Sequence, residues 1–150
     1  MIAILVIAAA LATFLRQPGP REVRIKVTEF SYQVDSGQPI ITLKVGEEIR
    51  VVLENVGKHD HEFLLVRDKD VAIQTVREEL AKGTPDEALD RLKSNMAVMG
   101  IRYEVEPGSL TIFRLRFTTP GTFYFVCLET EPRGVPHAEL GEVGQIVVEG

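Results

Sequence analysis

From Glu22 onward the chain alternates apolar and polar residues with a period of two. Val23, Ile25 and Val27 alternate with Arg24, Lys26 and Thr28, and Phe30, Tyr32 and Val34 alternate with Ser31, Gln33 and Asp35. A period of two puts one face of an extended chain in a core and the other in water, so both runs predict half-buried strands. The turn residues of DSGQP close that pair. Further strands are predicted at 40–45, 48–54 and 61–67, with Gly46 and the loop NVGKHD between them, and again at 101–106, 110–117, 122–126 and 142–149. Pro107-Gly108 and Pro120-Gly121 mark turns between the later strands.

Residues 68–99 break the alternation. Ala72, Val76 and Leu80 recur every fourth position, and Gly83 stands where a helix would end in a left-handed residue. A second helix is predicted to open on Thr84 as N-cap, Pro85 as first helical residue and Glu87 completing a capping box, with Leu89, Leu92, Met96 and Met99 as its apolar stripe. Many short strands with one two-helix insertion predict an all-β fold, an antiparallel β-sandwich.

The one continuous apolar run is Ile2–Leu15. As a helix its 14 residues span about 21 Å, short of the roughly 30 Å of a bilayer core. It is predicted to be a signal peptide, with Ala10-Leu11-Ala12 as a cleavage site, or an N-terminal membrane anchor. Residues 16–21 read as a linker and 22–150 as one domain. The expected location is extracytoplasmic, in a periplasm or on the outer face of the cytoplasmic membrane.

The net charge of −5 argues against a nucleic-acid partner, which requires a basic surface. A single cysteine, Cys127, excludes an internal disulfide and leaves three fates: buried hydrophobe, reactive thiol or metal ligand. The only imidazoles are His59, His61 and His137. Neither CxxC nor HxxxH is present, which speaks against structural zinc. A Cys–His nucleophile would need a cationic setting to lower the thiol pKa, whereas Glu129 and Glu131 follow Cys127. Two histidines and one cysteine at one end of a β-sandwich are the donor set of a blue-copper site.

With those residues in view, the chain resembles the cupredoxins, small copper proteins of the plastocyanin and azurin kind. FSYQV, PIITLKVGEEIRVVLENVGKHDHEF, TTPGTFYFVC and HAELGEVGQIVVEG carry the likeness, the last matching a family ending of the form H-x-x-x-G-M-x-G-x-[IV]-x-V. The resemblance implies a Greek-key sandwich holding one copper ion, with His61, Cys127 and His137 as ligands. It also implies an electron carrier whose redox partner docks on an apolar patch around His137, formed by Val135, Pro136, Ala138 and Leu140.

Two departures stand out. Nine residues separate Cys127 from His137, a longer loop than in plastocyanin-like members. Glu142 occupies the position of the weak axial Met, with Gly141 and Gly144 holding the register. A hard, anionic carboxylate there would favour Cu(II) over Cu(I) and lower the reduction potential. A second reading is copper handling or delivery. An enzyme of the nitrite reductase kind would need a second copper with its own histidines, which this chain lacks. His59 is expected to be an exposed loop residue.

Overall fold

A computed structural model describes residues 19–35, 37–94 and 98–150. The segment expected to be a signal or anchor, 1–15, lies outside these residues, as do residues 16–18 of the linker and Met96. Among the described residues no helix is long and apolar enough to cross a membrane.

Among the described residues nine strands form two sheets. One runs in the order β2 (Ser31–Val34), β1 (Arg21–Thr28), β4 (Glu48–Asn55), β7 (Leu110–Arg116). The other runs β3 (Ile40–Lys44), β9 (Val143–Glu149), β8 (Gly121–Val126), β5 (His61–Val66), β6 (Val98–Val105). The predicted sandwich is therefore present, with one refinement. β1 pairs parallel to β4 and β3 parallel to β9, so both sheets are mixed where an antiparallel arrangement was expected. Alternation reports which face of a strand is buried and carries no information on the direction of its neighbour.

The alternation places Val23, Ile25 and Val27 opposite Phe63, Phe125 and Ile146, and the core between the sheets grows from these side chains. Gly144 lies directly against the Phe125 ring, so that any side chain there would overlap it. Its place in the motif is thus a packing requirement. Phe30 departs from the predicted strand: it sits in the β1–β2 turn with φ of 62° and is half-buried. A bulky side chain at positive φ costs on the order of 1 kcal/mol.

β5 is buried at all six positions because its second face is covered too. The insertion, α1 (Lys69–Lys82) and α2 (Ala88–Ser94), lies over it and packs Ala72 and Leu92 onto Leu64, Val66 and Val126. Asp68 caps α1 by accepting from the Asp70 and Val71 amides, and Gly83 ends it at φ of 78° as expected. The capping box on the second helix does not form. The Thr84 hydroxyl donates to Glu79 Oε2 at 2.6 Å instead, and Pro85–Glu87 make a single 3-10 turn before α2. Met99 belongs to β6 and packs on the main core, outside the helical stripe predicted for it.

Glu79 is the hub of the insertion. It accepts from Thr84, from Lys82 at 3.0 Å and from Arg91, and these contacts, the Thr84 hydroxyl first, hold its pKa at about 2. A carboxyl held below its unfolded value of about 4.3 stabilises the fold above that value and loses the contribution as pH falls. Glu79→Gln should therefore lower the thermal midpoint fully above about pH 5. The gap to wild type should close as pH approaches 2, measurable by circular dichroism melts across that range.

Candidate metal centre

The four residues singled out in the sequence converge. His61 opens β5, Cys127 follows β8, His137 begins the 3-10 turn His137–Leu140, and Glu142 immediately precedes β9. Their donor atoms all lie within 4.8 Å of one another, and all four side chains are completely buried. Glu142 Oε2 stands 2.9 Å from His61 Nδ1 and 3.3 Å from His137 Nδ1, and Cys127 Sγ is 3.4 Å from His137 Nδ1.

Backbone bonds set this geometry. The Cys127 amide donates to the Glu142 carbonyl, the Ala138 amide to the Cys127 carbonyl at 2.9 Å, and the Glu142 amide to the His137 carbonyl at 3.1 Å. Three ligands thus belong to one laced segment. The loop carrying His61 is fixed by Asn55, the conspicuous asparagine ahead of it. Its buried side chain donates to the carbonyls of His59 (2.8 Å) and Val105 (2.9 Å) and accepts from the Gly57 amide (2.8 Å). Gly57 leaves room beside His61 Nε2, where a Cβ would come to 3.2 Å.

Tautomers follow from the outer contacts. His137 Nε2 lies 2.6 Å from the Glu131 carbonyl, an acceptor only, so Nε2 carries the proton and Nδ1 faces the centre with its lone pair. Burial opposes protonation of His137, but the Glu142 carboxylate and the Glu131 carbonyl outweigh it and raise its pKa. Burial, with the Glu142 and Glu62 charges, pushes the Cys127 thiol far up. A thiol without solvent contact is poorly placed to act as a nucleophile, which speaks against the Cys–His nucleophile considered from the sequence. The Glu62 amide, 3.4 Å from Sγ, and the Glu129 amide are placed to support a thiolate once positive charge enters.

Glu142 Oε1 is buried with no partner. A carboxylate with one orphaned oxygen, two imidazole nitrogens and a sulfur brought together fit a cation of intermediate softness, as copper is.

His137 departs from expectation. Its edge was expected in an exposed apolar patch, yet the ring is fully buried, as are Pro136 and Ala138; of the four patch residues only Leu140 is exposed. The long loop folds back to cap Nε2, and Phe30 lies edge-on to the ring at 4.8 Å. His59 is outside the cluster, held 2.7 Å from Glu29 and stacked on Phe30.

The sequence reading missed Phe30 and Glu62. Glu62 looks like an outward strand residue, but it is buried beneath the insertion. It accepts from Arg102 at 2.5 Å and from the Leu128 amide at 2.9 Å. Leu64 and Val66 on the same face were the available signal that this face is covered.

Solved structures agree with this architecture. Auracyanin from the photosynthetic bacterium Roseiflexus castenholzii matches with a TM-score of 0.61 at 24% identity, over 86% of this chain and 97% of that one. Auracyanin A from Chloroflexus aurantiacus, a "blue" copper protein, matches with a TM-score of 0.60 at 16% identity, over 87% and 100%. The chain has the cupredoxin fold. Rusticyanin from Thiobacillus ferrooxidans, a further cupredoxin, gives 0.54 at 18% identity over 86% and 78%. No family model matches the sequence, and no curated protein does.

Asn55→Ala should strand a buried amide and two carbonyls and lower stability by about 2–3 kcal/mol, read by denaturant unfolding of the metal-free protein. Because Asn55 sets the loop, copper affinity should fall in parallel.

Proposed function

We propose that this cupredoxin binds one copper ion through His61 Nδ1, Cys127 Sγ and His137 Nδ1, with Glu142 as fourth ligand, and serves as an electron carrier. The observation that carries the reading is the convergence of four fully buried donor residues within 4.8 Å, one of them a carboxylate whose second oxygen, Oε1, has no partner. Copper supplies a one-electron couple when bound. The chain contributes a cage whose ligands are held by backbone bonds, so little rearrangement accompanies a change of charge. Glu142 supplies negative charge that favours the oxidised ion.

Electron exchange would pass through the loop over His137. The hydrogen bond from Nε2 to the Glu131 carbonyl connects the imidazole to exposed backbone, so a redox partner would dock near His137 on the segment 131–134. The protein's net charge of −5 would steer a basic partner there. The apolar run Ile2–Leu15 supports delivery outside the cytoplasm, cleaved or retained as an anchor.

A second reading, copper handling or delivery without turnover of charge, is favoured by one observation: no edge of either ligand imidazole reaches solvent. Reversible electrochemistry with copper retained supports the carrier, and transfer of the ion to an acceptor protein supports handling. Neither reading makes the protein an enzyme.

One equivalent of copper should produce an intense visible thiolate-to-copper band that Cys127→Ser abolishes. Glu142→Met should raise the reduction potential by at least about 60 mV, a tenfold change in the preference for Cu(I). An unchanged spectrum and potential in Glu142→Met would remove the carboxylate from the coordination sphere.

A further inference from the structure

The helical insertion reaches the metal centre from outside. Two of the four donors flank one short piece of chain, the turn His137–Leu140, with Glu142 two residues beyond it. Its inner side is laced to Cys127 through the Ala138 amide. On its outer side the Ala138 methyl packs into the cluster that holds Ala72 of α1 and Leu92 of α2. Glu139, its side chain only 16% exposed, receives a two-pronged ion pair from α1. Arg77 Nε lies 2.5 Å from Oε1 and Nη2 2.6 Å from Oε2.

We propose that Arg77 is a positioning residue for the metal centre: by gripping Glu139 it fixes the turn between His137 and Glu142, and with it the spacing of those two ligands. This rests on the copper reading above. The physical reason lies in the turn itself. The turn has few backbone hydrogen bonds of its own, chiefly from the Gly141 amide to the Ala138 carbonyl and from the Glu142 amide to the His137 carbonyl. A short 3-10 turn of this kind therefore takes part of its shape from its contacts. A two-pronged guanidinium–carboxylate pair restrains both position and orientation, which a single charge contact does not. An ion pair with Arg77 more than half exposed contributes little to global stability, so its effect should be local.

The test compares Arg77→Ala with Arg91→Ala, which breaks the ion pairs to Glu78 and Glu79 inside the insertion without touching the turn. Release of copper to a chelator should be about 5- to 10-fold faster in Arg77→Ala, below the 10- to 100-fold seen when a direct partner of a ligand is lost. In the metal-free protein, exchange of the Ala138 and Glu142 amides should accelerate to a similar degree. Arg91→Ala should lower the melting temperature and leave both readouts unchanged. The double exchange Arg77→Glu with Glu139→Arg should restore slow release. Wild-type release and amide exchange in Arg77→Ala would overturn the proposal, as would equal effects from Arg91→Ala. Failure of the wild-type protein to take up copper would instead sink the copper reading, and the amide exchange would still decide whether Arg77 holds the turn.

Discussion

Everything at this centre depends on three backbone hydrogen bonds, two that stitch Cys127 to the segment 137–142 and one that ties Glu142 to His137 within it. They make the first residue after β8 and the last before β9 part of one unit. The sandwich then has only to bring His61 to that unit, which it does by pairing β5 with β8 in the same sheet. A thiol, a carboxylate and two imidazoles are costly to bury together, and without such lacing they would separate and hydrate. The fold holds them together at one end of the sandwich, where one cation would resolve the imbalance.

Much of this was readable from residue order. Period-two alternation marked the first strands, because inward faces such as Val23, Ile25 and Val27 are purely apolar, and turn residues bounded the later ones to within a few residues. The ligand residues were readable because the donor types are scarce: one thiol and three imidazoles leave few combinations. What stayed hidden was information that belongs to pairs of distant segments. The parallel partners of β1 and β3, the use of Thr84 to satisfy Glu79, and the burial of Glu62 beneath α1 and α2 each depend on which surfaces meet. Phe30 was hidden for a different reason, since its alternating position mimics a strand while its backbone turns.

The covering of His137 changes how the centre communicates. An imidazole edge open to solvent gives a partner direct access. Here the nine-residue loop interposes the Glu131 carbonyl, with Phe30 packed against the ring. On the proposed copper reading, the same cover would slow exchange of the ion and exclude water, which would strengthen the field of the Glu142 carboxylate on it. The insertion completes that enclosure on the opposite side, through Ala138 and Glu139.

The central claim is that a sulfur and a carboxylate oxygen share one copper ion with two imidazoles. X-ray absorption on the copper-loaded protein tests it most directly. The account predicts a coordination shell of two nitrogens, one sulfur and one oxygen, with the oxygen contribution lost in Glu142→Met and the sulfur contribution lost in Cys127→Ser. A shell of light atoms alone in the wild-type protein, with no sulfur scatterer, would contradict it.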